Sequence, residues 1–347
     1  MKTNVHHKYQ TTCLSLLALA LLVPLPAARA GSVSHYDPGV MNIRDFFVPD
    51  PGVYGVLYNY FYTSDRFNDA NGNSINSVRI NPGPGPGVTL NVNPKLDMYA
   101  LAPTLIWITP WNFCGIKYGA YIAPTFANSS IDAEISTVNG RGRNTGTSTF
   151  DVGDLFVQPL WLGLTLSNWD FAFGYGFYAP VGKYSTETVT LPIVGPITTT
   201  SPDNIGLGFW THQFQGSAAW YPWADKRMAV MGALTYQINS QKQDIDVTPG
   251  QHITFNWGIS QFLPLTKDQN LLLEIGPAGY DDWQITDDSG SAARNPSDHT
   301  QVHGVGGQLG LTYVPWNVAL NFHAFYEYFA ADRPQGQSYS ISIAIKF

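Results

Sequence analysis

The sequence predicts an all-β protein, a transmembrane antiparallel β-barrel of about twelve strands behind an N-terminal signal peptide. Three observations carry that reading. The chain opens on a three-part leader, it closes on a strictly alternating strand that ends at Phe347, and it combines few charged residues with many aromatic ones.

The leader has a basic start at Lys2 and Lys8 and an apolar run from Leu14 to Leu25, ended by Pro24 and Pro26. Ala28-Arg29-Ala30 supplies a small-x-small cleavage pattern. These are the parts of a secretory signal peptide, and the run is shorter than the roughly 20 apolar residues of a spanning helix. The expected division is a signal peptide at 1–30, an N-terminal periplasmic or plug segment at 31–51, and the barrel at 52–347. Loss of Lys2, Lys8 and Arg29 makes the remaining chain more acidic than the −7 of the whole sequence. That balance argues against nucleic acid as a partner. Cys114 is then the one cysteine left, so no intramolecular disulfide forms, and no Cys/His spacing reads as a zinc site.

Charged residues make up 12% and aromatic residues 14% of the chain. A soluble domain of this size carries about twice that charge. The mean hydropathy, slightly below zero, is too polar for a bundle of spanning helices. A lipid-facing wall around a wet interior reconciles the two.

The last strand shows the pattern most cleanly. Tyr339, Ile341, Ile343, Ile345 and Phe347 fall on one face, with Ser338, Ser340, Ser342, Ala344 and Lys346 on the other. Period two with that contrast is a strand with one apolar and one polar side. The preceding strand sets Val318, Leu320, Phe322, Ala324, Tyr326 and Tyr328 against Ala319, Asn321, His323, Phe325 and Glu327. Further upstream Trp169, Phe171, Phe173, Tyr175 and Phe177 alternate with Asp170, Ala172, Gly174, Gly176 and Tyr178.

Five connections read as short: Thr109–Gly115, Ser167–Asp170, Tyr221–Arg227, Pro264–Asn270 and Pro315–Asn317. Pro110-Trp111, Pro222-Trp223 and Pro315-Trp316 mark three of them; proline stops ladder pairing and Trp prefers the headgroup layer. Six others are mostly longer and polar, near Ser64–Val88, Asn128–Phe150, Lys183–Asn204, Ser240–Gly250, Asp281–Gln301 and Ala331–Gln335. Five short turns with both mature termini on the periplasmic side require twelve strands. Met98 to Ile116 carries no charge, but Pro103 and Pro110 interrupt it, so it reads as strand, turn and strand rather than a spanning helix. The run from Asn81 to Gly87 belongs to the first outer loop.

No motif carries a strong chemical signal. Gly174-Tyr-Gly176-Phe-Tyr-Ala179 matches a dinucleotide pattern but lies within an alternating strand with no helix after it. His299 and His303 lie in a polar loop, and Asp281, Asp282, Asp287 and Asp288 read as solvated loop charge. The expected cofactors, metal ligands and catalytic residues are none. By strand parity Lys117, Glu274, His323 and Glu327 oppose the apolar face. Together with Asn59, Asp154, Gln213, Asn256, Gln308 and Asn321 they are the expected lumen lining. Before the first strand, Ile43, Phe46 and Phe47 stand among polar residues and the breakers Pro38, Pro49 and Pro51. Exposed, they would forgo a burial gain of roughly 25 cal/mol per Å². They are expected to fold as a plug into the lower lumen, with Arg44 and Asp45 pairing to its polar wall.

The stretch from His35 to Gly52 resembles the opening of the putative MetA-pathway of phenol degradation family. So do Gly153 to Trp161, Phe173 to Lys183, Asn204 to Gln213, and Gly307 to Phe347. The resemblance implies an outer-membrane barrel with a transport role and carries over no functional residues. The expected function is a channel or facilitator for passive uptake of small organic, including aromatic or hydrophobic, molecules in the outer membrane of a Gram-negative bacterium. Its expected partners are outer-membrane lipid and lipopolysaccharide, a small-molecule cargo, and the barrel assembly machinery. The alternatives are a structural or adhesion barrel with a blocked lumen, or an outer-membrane acyl hydrolase. The latter needs a Ser beside a His facing lipid, and neither His212 nor His323 has one nearby in the sequence.

Overall fold

The computed structural model describes residues 34–80, 88–137, 140–191, 195–201, 203–293 and 295–347. The leader at 1–30 and the proline-glycine run at 81–87 lie outside the described residues. In chain order the strands are β1 (Gly52–Phe67), β2 (Ser77–Ile80), β3 (Val88–Phe113), β4 (Ile116–Thr137), β5 (Gly140–Thr147), β6 (Asp151–Leu166), β7 (Trp169–Ala179) and β8 (Thr186–Leu191). There follow β9 (Gly195–Thr200), β10 (Thr211–Trp220), β11 (Met228–Asn239), β12 (His252–Pro264), β13 (Leu271–Gln284), β14 (Gln301–Tyr313), β15 (Val318–Ala331) and β16 (Pro334–Lys346).

Among the described residues twelve strands close a barrel: β1, β3, β4, β6, β7 and β10 to β16. All pairs are antiparallel, and the seam is β1 against β16, with Tyr54 opposite Lys346 and Tyr60 opposite Ser340. Above Leu96 the edge of β3 leaves β1 and takes β2 as its partner, while β5 covers the matching end of β4. β8 and β9 form a separate hairpin. Met98 to Ile116 is strand, turn and strand rather than a helix, with the turn at Cys114-Gly115.

At one end the connections are short. Cys114 and Gly115 both take positive φ, and the Asn112 side chain accepts the Gly115 N–H. Ser167, with φ of 54°, turns β6 into β7. A 3-10 turn at Val314–Trp316 joins β14 to β15. This end is taken as periplasmic and the long-loop end as outer. The outer loop between β15 and β16 is the exception, a tight turn through Asp332 and Arg333.

The sequence alternation is realised with its apolar side outward. Leu105, Phe173, Phe214, Leu234, Leu309, Leu320, Phe322, Ile341 and Ile343 are exposed, while Gln213, Gln215, Thr235, Thr254, Ser338, Ser340 and Ser342 are buried. A soluble domain does not show so continuous an apolar exterior. Trp111, Phe113, Trp169, Trp220, Trp223, Trp316 and Phe347 ring the short-turn end, where amphipathic rings prefer the headgroup level.

Three expectations are corrected. Asn59 points outward, paired with the exposed Ile341, because β1 turns Tyr58, Tyr60 and Tyr62 inward. Tyrosine hydroxyls can be satisfied in a polar lumen, so parity judged by ring size fails there. Pro110-Trp111 is not a turn but an irregularity within the β3–β4 ladder: pairing stops after Ile108 and resumes at Asn112 opposite Lys117. Proline has no N–H to donate. Asp281 and Asp282 belong to β13 rather than to a loop, bonded to His303 and Thr254 respectively.

The outward course of Leu309 gives a direct test. Leu309→Arg should lower stability by about 2–4 kcal/mol, the cost of a midplane cation on the lipid face, in denaturant unfolding from liposomes. An unchanged midpoint would refute this orientation.

Candidate functional site

The lumen is the candidate site, and residues 34–51 run inside it. At the periplasmic mouth, Lys117 on β4 donates to Asp50 at 3.0 Å. This ammonium holds the Asp50 carboxyl below the usual carboxylate range. Val48 occupies the space above Gly163 that a side chain there would fill. Phe46 is buried with Ile43 in a cluster that includes Ala219, Met231, Tyr280 and Phe325, and the Ser217 hydroxyl donates to its carbonyl. Phe47 packs partly buried beside it.

Arg44 is the strongest anchor. Its Nε reaches Glu274 at 2.8 Å and Ser260 at 2.9 Å, and its terminal nitrogens donate to the carbonyls of Lys226 and Arg227. The guanidinium also lies 4.4 Å from the Phe262 ring centre, a cation–π contact. Asp45 accepts from Tyr58 and Asn42. Gln308 joins both groups, accepting the Ile43 N–H and donating to Glu274.

Higher in the lumen, Asn42 bonds His323 and Ser342. Gly39 donates to Asn256, and its carbonyl accepts from His323. At the outer end His35 bridges Thr211 at 2.7 Å and Asp154 at 2.9 Å and stacks on Tyr178 with centroids 4.7 Å apart. Asp154 also accepts the N–H groups of Gly182 and Leu207, tying the outer loops to this point. In those loops Lys183 lowers the pKa of Asp203, and burial pushes the Lys242 ammonium down.

Of the sequence-predicted lining residues, Lys117, Asp154, Asn256, Glu274, Gln308 and His323 touch residues 34–51 directly. Gln213 bonds Gln237 instead. Asn321 is buried opposite Ser342 and Gly310. Glu327 is buried between Tyr62, Tyr280 and the Gly336 N–H. The segment does not stop in the lower lumen: it reaches the outer end, so Ser34 lies there and not on the periplasmic side.

Sequence reasoning missed His35, Tyr58, Ser217 and Ser260, and it placed Ser342 on the polar face of the last strand without counting it as lining. The three serines sit at inward positions of alternating strands and could have been found by parity. His35 could not, because its partners lie 119 and 176 residues away. The histidines weighed for hydrolase chemistry have other partners: outward-facing His212 pairs with the Tyr175 hydroxyl at 2.9 Å, and His323 binds the segment.

Comparison with known proteins follows from this geometry. The family model described as "Putative MetA-pathway of phenol degradation" matches residues 64–343. No curated protein matches the chain. The fold is similar to that of the COG4313 outer membrane channel from Pseudomonas putida F1, at TM-score 0.58 and 14% identity over 90% of this chain and 100% of that one. The β domain of the Bordetella autotransporter BrkA overlaps at TM-score 0.44 and 11% identity, over 85% of this chain and 100% of that one.

Two outcomes are expected. Arg44→Met leaves Glu274 buried and unpaired and should cost about 3 kcal/mol or more in unfolding free energy, with much of it restored in Arg44→Met/Glu274→Gln; an undiminished single variant would show that the pair anchors nothing. In a Cys114→Ser background, Ser34→Cys should react with a membrane-impermeant maleimide on intact cells, whereas Asn317→Cys should not. The reverse labelling would invert the topology.

Proposed function

The chain belongs to the family described as "Putative MetA-pathway of phenol degradation", and from that premise we propose that it is an outer-membrane conduit for passive uptake of small organic molecules, hydrophobic and aromatic ones included. The observation that carries this reading is the threaded segment. It fills a polar lumen largely through separate hydrogen bonds, each worth about 0.5–1.5 kcal/mol net, and through ion pairs of Arg44 with Glu274 and of Asp50 with Lys117. Pro49 and Pro51 flank its junction with β1 at the periplasmic mouth, so withdrawal toward the periplasm keeps the wall intact.

The mechanism is diffusion without cofactor or energy input. Cargo enters between the outer loops, and the segment gates the lumen by yielding its wall contacts. Lipid covers the apolar exterior, and the barrel reaches the outer membrane after export and assembly. An acyl hydrolase is disfavoured by the tyrosine, rather than serine, beside the outward His212.

A sealed structural barrel is the second reading, favoured by the apolar packing of Ile43 and Phe46 inside the wall. Single-channel recording separates the two. Deleting residues 34–45 should raise conductance in planar bilayers, and liposome swelling should then admit small neutral solutes. A deletion protein that assembles normally and conducts like the parent would rule out gating by the segment. If neither form passes solutes, the sealed barrel is the better description.

A further inference from the structure

The segment does not engage the lumen wall evenly. The hydrogen bonds of residues 39–45 run to β1, β12, β13, β14, β15 and β16 and to the β10–β11 turn. On the facing wall, β4, β6 and β7, it touches above through His35 on Asp154 and Tyr178, and below through Asp50 on Lys117 and through Phe47 and Val48, which pack against the cluster around Trp161. Between these points lie Tyr121, Phe156 and Gln158, with Tyr178 at the upper contact and Trp161 at the lower one. Their rings form a continuous set: Tyr121 lies 5.5 Å from Phe156 and 5.6 Å from Trp161, and Phe156 lies 4.5 Å from Tyr178.

Within this aromatic set three polar atoms are buried without a hydrogen-bond partner: both amide atoms of Gln158 and the indole Nε1 of Trp161. Gln158 and Trp161 are almost wholly buried, at 1% and 3% exposure. They stand three apart, so strict alternation would send one outward. β6 shifts register against β4 between Gly119 and Tyr121 and against β7 between Val157 and Leu160. The irregularity falls on Pro159, and it turns both side chains to the lumen. A buried amide with neither atom satisfied is rare in folded proteins, and this one has been turned inward by a specific backbone device.

We propose that this patch of β4, β6 and β7 is a binding site for a small, neutral, planar molecule carrying a hydroxyl or carbonyl group, an assignment that rests on the conduit reading. The chemistry sets the class. Gln158 offers one acceptor and a donor, and Trp161 offers a second donor, which a hydroxyl can meet from both sides. The surrounding rings favour a planar apolar body in stacked or edge contact. The patch itself holds no ionised side chain, and its charged neighbours are carboxylates: Asp154, which accepts from His35, Gly182 and Leu207, Asp45, which accepts from Tyr58 and Asn42, and Asp37 near Tyr178. An anionic ligand would therefore meet carboxylates and no counter-ion there.

The test uses the whole purified barrel in detergent with 4-bromophenol as probe and bromobenzene as the comparison lacking a hydroxyl. Ligand-observed magnetic resonance titration should give saturable 4-bromophenol binding. Gln158→Met and Trp161→Phe should each weaken it about tenfold, the size of one lost hydrogen bond, and leave bromobenzene binding unchanged. Ser338→Ala on the other side of the lumen should change neither. Crystals of the parent soaked in 4-bromophenol should show bromine between β4, β6 and β7, which decides the matter if a variant fails to fold. Bromine elsewhere, no saturable binding, or folded variants that bind like the parent would overturn the site. Liposome swelling is measured separately. Binding without passage counts against the conduit and leaves the site standing; passage without binding does the opposite.

Discussion

Everything in this molecule depends on the backbone hydrogen bond in a medium that offers no substitute for it. A strand edge facing lipid has no water to bond, so a spanning sheet must close on itself. The β1–β16 seam meets that demand, and its register fixes the rest: Ile341 and Ile343 face out only because Ser340 and Ser342 face in. Where the closed wall ends, the requirement relaxes. Above the level of Leu96 the β2 and β5 strands pair as extensions of one hairpin rather than as members of the ring.

Closure creates a second requirement inside. Side chains alternate in to out, so an apolar exterior leaves a wall of polar groups around a narrow space. Those groups need partners. Residues 34–51 supply many of them, and the two are matched in kind: Arg44 meets Glu274, Asp45 meets Tyr58, and His35 meets Asp154. The segment is not a core in the soluble sense, because its apolar packing falls into two small clusters, one around Ile43 and Phe46 and one where Phe47 and Val48 meet Trp161. Polar contacts can be exchanged with water or with a solute at small net cost, whereas buried apolar area cannot. That difference makes a threaded segment suitable as a gate.

Ladder irregularities then set the local chemistry. A register shift near Pro159 turns Gln158 and Trp161 to the same side, and the break at Pro110 carries Trp111 to the periplasmic rim. Proline is at both places, since its missing N–H makes the lost pairing inexpensive.

The sequence by itself determined the barrel, its strand number and the grouping of short connections at one end of it. Period-two alternation and turn chemistry are local signals, and lipid enforces them strictly. It also marked Ile43, Phe46 and Phe47 as apolar groups in need of burial, with Arg44 and Asp45 beside them to meet a polar wall. Tertiary structure decided what alternation cannot express. It turned the tyrosines of β1 inward and Asn59 outward, because a phenol satisfies either environment and parity follows the partner strand rather than ring size. It carried the N-terminal segment to the outer end, where His35 finds Thr211 and Asp154, since contacts across more than a hundred residues leave no periodic trace. It also brought Gln158 and Trp161 together, because a bulge breaks the very period on which reading a strand depends.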